Sequence, residues 1–189
     1  MKKFYIVFCL LCTCILARTQ EVEEKPLTWW IDPGIGTYTT FSNQPMFRLN
    51  IYSGFTVHKN KTFYKLRYMR NYEVEYFYGY EPSEYFNSIN FLLGRGISEE
   101  KYHIQFSVGL GISSGVARKD LIEDNGGWIF FKSNIYEEDK FVRPSIPLEF
   151  EAVFKLTPYI GIGAGVFFEI NFTKPVMGIN SKVVLGKLR

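Results

Sequence analysis

The chain has 189 residues, enough for one domain and too few for two comfortable ones. With 22 Lys and Arg against 19 Asp and Glu, its formal charge is +3, and this near balance excludes the strongly basic footprint of a nucleic-acid-binding protein. Beyond residue 19 the sequence contains no apolar run of about 20 residues, which excludes helical membrane spans.

The N-terminus has the pattern of a secretory signal peptide. Lys2 and Lys3 precede an apolar run over residues 4–17, which is too short for an ordinary membrane helix. We therefore predict that residues 1–19 are a cleaved signal peptide. The polar residues 20–28 that follow are predicted to be a short periplasmic leader.

All three cysteines, at positions 9, 12 and 14, lie inside the predicted signal peptide. The mature chain would then carry no thiol that could mispair in an oxidising compartment. A lipoprotein would place its lipid on Cys14 or Cys12, but the preceding residues fit a lipobox poorly. Three of the 22 basic residues also leave with the signal, so the mature chain is nearly neutral.

The remaining sequence alternates between apolar and other residues with a period of two. The clearest example is residues 159–172, where every even position is apolar and the odd positions include Gly161, Gly163, Gly165 and Glu169. This period is typical of a β-strand with two different faces. Eight such strands are predicted, over residues 29–39, 47–58, 62–71, 85–95, 102–113, 145–156, 159–172 and 177–188.

The predicted connections alternate between short and long along the chain. Those after the second, fourth and sixth strands are tight, and residues 114–142 form the longest of the others. This asymmetry is typical of an outer-membrane barrel with short periplasmic turns and long outer loops. Residues 29–189 are therefore predicted to be an all-β domain, an eight-stranded antiparallel up-and-down transmembrane β-barrel that follows a cleaved signal peptide.

Alternation alone does not decide which face of each strand points outward. A secreted lipocalin is also an eight-stranded barrel, with its apolar face turned inward around a ligand. The nearly unbroken apolar faces, the strand lengths of about 10 to 12 residues and the aromatic content of 18% instead favour a wall in contact with lipid.

The opposite faces of the predicted strands would then fill a narrow lumen. Opposite charges confined there are expected to pair, because an unpaired buried charge is costly. We interpret this network as a plug, and a narrow ion channel is the alternative. Glycines such as Gly109 and Gly163 are expected to make room for Tyr52 or Arg67. The predicted lumen charges are Asp32, Arg48, Lys65, Arg67, Glu149, Glu151, Glu169 and Lys182.

No motif in the sequence predicts catalysis, a cofactor or a metal site. Residues 111–115 match the pattern G-x-S-x-G around Ser113, but they lie on an alternating strand with no helix after it. The two histidines, His58 and His103, are expected near the periplasmic end of the lumen without metal-ligand spacing.

The long connection over residues 114–142 is the candidate contact region for a protein partner, because function concentrates in loops on rigid scaffolds. Trp128, Phe130 and Phe131 are its candidate contact residues. Outer-membrane lipid is the other predicted partner.

Together, the signal peptide, the eight alternating strands and the alternating loop lengths resemble the small Gram-negative outer-membrane barrels of the OmpA/OmpX type. The likeness covers nearly the whole mature chain and is architectural. The last strand ends Gly186-Lys-Leu-Arg189 and lacks the usual terminal aromatic residue. The resemblance implies a porin-like but non-enzymatic protein of the outer membrane, acting as a scaffold, adhesin or assembly partner.

Overall fold

The computed structural model describes residues 27–40, 48–74, 79–125 and 133–188. The predicted signal peptide and the three aromatic residues Trp128, Phe130 and Phe131 lie outside these ranges. No helix in the described ranges has the length and hydropathy to cross a membrane. The described strands are β1 (Thr28–Ile31), β2 (Gly34–Thr40), β3 (Arg48–Lys59), β4 (Thr62–Glu73), β5 (Gly79–Glu81), β6 (Tyr85–Ser98), β7 (Tyr102–Asn125), β8 (Ser133–Lys155), β9 (Ile160–Asn171) and β10 (Val176–Lys187).

These strands form one closed barrel. β1 and β2 follow each other along a single barrel strand, since both pair with β3 on one side and β10 on the other. The remaining wall runs through β4, β6, β7, β8 and β9 back to β10, with every neighbour antiparallel. The prediction of an eight-stranded antiparallel barrel is confirmed. Closure also gives each wall strand two partners, so no edge is left unpaired in the wall.

The first barrel strand is interrupted at Asp32 and Pro33, since proline has no N–H to donate to a neighbour. The ladder continues across the break through two backbone hydrogen bonds. Asp32 N donates to Gly54 O at 2.9 Å, and Val183 N donates to Pro33 O at 3.1 Å. Thr28, the last residue of the predicted leader, belongs to β1, where it is paired with His58 of β3.

The apolar faces of the barrel strands point outward. Phe106 and Ile162 are 54% and 50% exposed, whereas Arg67 and Glu151 are each 1% exposed. This is the reverse of a lipocalin, in which the apolar face lines the interior. The result is an apolar outer wall of the kind that hydrocarbon can cover while the closed ladder satisfies the backbone.

The prediction that residues 114–142 form a loop is wrong for the described residues of this segment, which are β-strands. Its two sides pair as an extension of β7 and β8, from Ser114 opposite Val142 to Asn125 opposite Ser133. The chain there is too polar to show a period of two, and two register shifts between Arg118 and Glu123 break the alternation further. The other side of β8 is paired in parallel with the short β5.

The expected role of the lumen glycines is also corrected. An added Cβ at Gly109 would meet the backbone of Phe91 and Leu92, not Tyr52 or Arg67. Tyr52 lies instead against Gly34, where a Cβ would come within 2.3 Å of the ring. The absence of a side chain at Gly54 leaves space for the Asp32–Lys65 ion pair. A Cβ there would lie 2.3 Å from Asp32 Oδ1 and 2.6 Å from Lys65 Cε.

Candidate functional site: two charge clusters and an outer hairpin

The middle of the lumen is filled by an ionic network centred on Lys65. Its ammonium Nζ lies 2.9 Å from Asp32 Oδ2, 2.9 Å from Glu149 Oε1 and 2.7 Å from Glu151 Oε1. The Lys65 side chain is fully buried. Lys182 of β10 also joins the network, 3.0 Å from Asp32 Oδ2 and in contact with Glu151.

Arg67 extends this network one step further along β4. Its guanidinium donates to Glu149 Oε2 at 3.1 Å and to Glu169 Oε2 at 3.3 Å. Glu169 also accepts hydrogen bonds from the side chains of Ser88 and Asn90, each at 3.0 Å, and of Ser113. Seven of the eight predicted lumen charges therefore form one cluster, which we call the central cluster: Asp32, Lys65, Arg67, Glu149, Glu151, Glu169 and Lys182.

Arg48, the eighth predicted lumen residue, is not part of the central cluster. It lies at the opposite end of β3 from the β3–β4 turn, and its Nη2 donates to Glu73 Oε1 at 2.9 Å and approaches Glu84 Oε2 at 3.4 Å. Arg118 also pairs with Glu73. Lys174 Nζ donates to Glu84 Oε2 at 2.6 Å. We call this second group the outer cluster.

Sequence reasoning missed four members of the outer cluster because it assigned them to loops. Glu73 carried a usable signal, since it continues the inward register of Arg67, Met69 and Asn71 along β4. Glu84 and Lys174 lie between strands and had no periodicity to place them.

Aromatic side chains separate the two charge clusters. Along β4, Met69 lies between Arg67 and Glu73, and the core around it includes Tyr38, Tyr52, Phe86 and Phe167. Cations of both clusters lie over these rings. The distances from charge to ring centroid are 5.9 Å for Arg48 over Tyr38, 5.7 Å for Lys65 over Tyr52 and 5.8 Å for Arg67 over Phe167.

The two histidines lie at the short-turn end of the lumen. The His58 ring stacks on Phe63 at a centroid distance of 4.2 Å, and the His103 ring stacks on Trp30 at 4.9 Å. His58 is further held by Thr28 Oγ1 at 3.1 Å from Nδ1. Within the described ranges, no group of three or more His, Cys, Asp or Glu side chains is arranged to hold a metal ion. The stacked rings of His58 and His103 pack against Phe63 and Trp30 at this end of the lumen.

Ser113, the serine of the G-x-S-x-G match, lies in the middle of β7. Its hydroxyl donates to Glu169 in the central cluster. On the neighbouring strand β6, Ser88 is the residue paired with it. A nucleophile elbow requires a strand-to-helix turn and a histidine beside the serine. Ser113 lies within a continuous strand, and the observed partner of its hydroxyl is a carboxylate of the central cluster.

The hairpin formed by β7 and β8 projects beyond the neighbouring strands. β6 begins at Tyr85, opposite Val116, and β9 ends at Asn171, opposite Ser145. β7 continues from Val116 to Asn125, which is roughly 30 Å of additional strand at about 3.3 Å per residue. We call residues 117–125 and 133–143 the outer hairpin. Its exposed apolar side chains include Leu121, Ile122 and Val142.

The outer cluster anchors this hairpin at its base. Arg118 N donates to Glu84 Oε1 at 2.9 Å, and the Arg118 side chain pairs with Glu73 of β4. The carboxylate of Glu84 thus links the hairpin to Lys174, in the connection between β9 and β10. The hairpin is therefore fixed to the barrel wall by buried ion pairs as well as by its strand ladder.

A closed eight-stranded barrel with an apolar outer wall and an ionic lumen defines the class of small outer-membrane β-barrels. The chain resembles solved structures of that class. Neisserial surface protein A has a TM-score of 0.60 at 10% identity, covering 87% of this chain and 99% of its own. The attachment invasion locus protein Ail of Yersinia pestis has a TM-score of 0.58 at 10% identity, covering 86% and 99%.

The N-terminal β-barrel domain of Pseudomonas aeruginosa OprF is also similar, with a TM-score of 0.52 at 8% identity over 87% of this chain and 99% of that domain. No protein-family model matches the sequence, and no curated protein matches it. At these identities the likeness shows the fold, and it confirms the architectural resemblance drawn from the sequence. The fold is that of the Gram-negative outer-membrane barrels.

Acid is expected to loosen the base of the outer hairpin. Burial by itself raises the pKa of the Glu84 carboxyl, but Lys174 and Arg118 outweigh it and hold the pKa below its usual range. Such a carboxyl stabilises the fold above its unfolded pKa, and that stability is lost as the pH falls through the lower folded value. Below about pH 4, amide hydrogen exchange in β7 beyond Val116, corrected for intrinsic rates, should rise by about tenfold.

The control for this pH effect is Glu84→Gln, which removes the titrating group and keeps its shape. Exchange in the outer hairpin of this variant should already be fast at neutral pH and should respond less to acid. Corrected exchange in the native chain that does not change between pH 7 and acid would contradict the assignment.

Proposed function

We propose that the protein is a non-enzymatic outer-membrane barrel that presents the outer hairpin at the cell surface for attachment or for assembly with a protein partner. The chain is exported by its signal peptide over residues 1–19 and inserts with the short turns in the periplasm. The plugged lumen makes the barrel a rigid platform.

The observation that carries this proposal is the outer hairpin itself. Two strands that only span a membrane need about 10 residues each, whereas β7 and β8 have 24 and 23. The additional length is paired, capped on one side by β5 and anchored by buried ion pairs. An ordered projection on a rigid scaffold is the arrangement that binding proteins use. Residues 114–142, with Trp128, Phe130 and Phe131, thus stay the proposed partner-contact region.

The similarity to known barrels supports the same kind of role. Ail is described as an attachment invasion locus protein and has been solved in complex with a heparin analogue, sucrose octasulfate. Neisserial surface protein A is a surface protein by name. The hydrogen bond that ties the Ser113 hydroxyl to Glu169 supports a non-enzymatic role.

Removing most of the outer hairpin is expected to weaken attachment and to leave the barrel closed. Val116 and Lys140 are paired across the hairpin, so residues 117–139 can be replaced by a two-residue Asn-Gly turn between them. The full chain and the shortened variant would each be expressed in a non-adherent Gram-negative bacterium. The two strains would be compared for binding to cultured animal cells and to purified proteins from the surface of those cells. Binding should fall by about tenfold or more if the hairpin supplies a central contact.

Heat-modifiable gel migration and membrane fractionation would show that the shortened variant is folded and in place. A matched variant, Trp128→Ala with Phe130→Ala and Phe131→Ala, tests the aromatic residues without removing the ladder. Equal binding by the native chain and a folded, shortened variant would reject the hairpin as the attachment surface.

A further inference from the structure

The short-turn end of the barrel carries a group of exposed cations that neither the lumen nor the outer hairpin uses. Lys59 and Lys61 flank the tight β3–β4 turn, whose Asn60 has a φ of 59°. Arg95 lies on the next wall strand, opposite Thr62 beside that turn. Lys187 ends β10, opposite Trp29 of β1. We call Lys59, Lys61, Arg95 and Lys187 the basic rim.

Three of these cations continue the apolar columns of the outer wall. Side chains two residues apart on a strand share a face. Lys59 therefore follows Val57, Arg95 follows Leu93 and Lys187 follows Leu185 on the outward side. The charges lie where the apolar wall gives way to polar surroundings, and they face outward from the wall, away from the mouth of the lumen.

Exposed aromatic rings mark the same level of the wall. Trp29 is 45% exposed opposite Lys187, and Tyr64 is 45% exposed two residues beyond Thr62 on β4. Amphipathic rings of this kind prefer the headgroup region of a bilayer. The basic rim is thus at the depth where lipid phosphates lie.

Some exposed cations at the other end of the barrel are paired with carboxylates. In the outer hairpin, Lys119 lies 3.6 Å from Glu137 and Lys140 lies 3.3 Å from Glu138. Within the described ranges, no member of the basic rim has a carboxylate within ion-pair distance. The acidic residues Glu99 and Glu100 lie in the following turn beside Lys101. The rim is therefore a positive surface with no anion from the described chain against it.

We propose that the basic rim binds the headgroups of anionic phospholipids in the leaflet on the short-turn side of the membrane. This inference rests on the proposed membrane location of the barrel and adds a lipid preference to it. A Lys or Arg next to an anionic bilayer surface gains about 1 kcal/mol, which is about fivefold in binding. Several such charges at headgroup depth, beside aromatic anchors, would gather anionic lipid around this end of the barrel.

Trp29 provides a built-in reporter for the test. It is exposed at the rim, whereas Trp30 is 1% exposed inside the lumen. With Trp128→Phe in the background, quenching by lipid reports on Trp29. The full chain, purified from membranes, would be reconstituted in mixed bilayers of phosphatidylglycerol and phosphatidylcholine in which one or the other is brominated near the headgroup. Phosphatidylglycerol should be preferred beside Trp29 by about fivefold, and high salt should weaken the preference.

In the variant Lys59→Gln with Lys61→Gln, Arg95→Gln and Lys187→Gln, the preference should fall to about one. Arg70→Gln is the matched control, since Arg70 is an exposed cation at the opposite end of β4 and its loss should leave the preference intact. Equal quenching by both lipids in the native chain would overturn the proposed lipid site while leaving the membrane barrel standing. Absence of quenching by either lipid would instead overturn the membrane location itself.

A third result would identify a different occupant. The leader carries Glu21, Glu23 and Glu24 close to the start of β1 in sequence. If the native chain shows no lipid preference and the variant with all three changed to Gln does, the chain's own leader covers the rim and the proposal is wrong.

Discussion

Replacement of Lys65 by methionine is expected to lower the free energy of unfolding by about 3–5 kcal/mol, the usual cost of removing one partner from a buried ionic group. Methionine has a similar volume but no charge, and Asp32, Glu149 and Glu151 would lose the cation that they share at 2.7–2.9 Å. Three carboxylates inside a narrow barrel would then face one another with less compensation. The measurement is urea unfolding of the protein in lipid vesicles, followed by tryptophan fluorescence.

The matched control for Lys65 is Lys140→Met. Lys140 also pairs with a carboxylate, Glu138, but its side chain is 76% exposed. An exposed pair of this kind contributes about 0–1 kcal/mol, so the control should unfold almost as the native chain does. If Lys65→Met proved as stable as Lys140→Met, the central cluster could not be a main support of the barrel.

No steady ionic current is expected through the reconstituted protein. Along the lumen, the packed rings around Trp30 and Phe63, the central cluster, the aromatic layer around Tyr52 and Phe167 and the outer cluster follow one another. An eight-stranded barrel has an interior just wide enough for its own side chains. An ion would have to displace several packed and paired groups in succession, and a planar-bilayer recording measures this directly.

A porin in the same bilayer is the positive control for the recording, and the variant Tyr52→Ala with Phe167→Ala tests whether the layers act as a plug. Removing two rings next to the central cluster should allow brief openings in a barrel that is otherwise closed. Steady conductance of the native chain would reject the plug and favour the narrow channel.

The fold was predictable because strand alternation is a local property. In residues 159–172 every second side chain is apolar, and this pattern fixes the strand and separates its apolar face from the other face. The strand lengths and the aromatic content then favoured lipid against the apolar face. The same register placed Lys65, Arg67, Glu149 and Glu151 on the inward faces of β4 and β8 before any neighbour was known. Short turns, such as the one at Asn60, then defined the order of the strands.

The outer hairpin was not predictable in this way. Between Arg118 and Glu123 the β7 ladder shifts register twice, so apolar and polar residues no longer alternate. Ala117 and Phe141 at the base of the hairpin are buried in the core. Beyond them, the side chains of residues 118–123 and 135–140 are exposed or half-buried, so no buried face selects apolar residues there. Its strands are held by pairing with each other and with β5, which the sequence pattern does not record.

The grouping of the lumen charges was likewise decided by the tertiary structure. Arg48 and Arg67 both carry an inward-facing charge, but they pair with different carboxylates, Glu73 for Arg48 and Glu149 for Arg67. The sequence gives the direction of each side chain around its strand. Its height along the barrel depends on the stagger between strands, which is known only after closure.

The sequence by itself determined that these strands have one apolar face for lipid and one face that carries charge. Successive side chains of a strand point to opposite faces, so the pattern can be read within each strand alone. Only the closed barrel decided which charges share a cluster, that Glu84 and Lys174 join one of them, and that the connection after the fifth barrel strand is a hairpin. The charge clusters depend on contacts between residues that are far apart in the chain. The hairpin ladder shifts register and has no period of two, so its strands left no local pattern either.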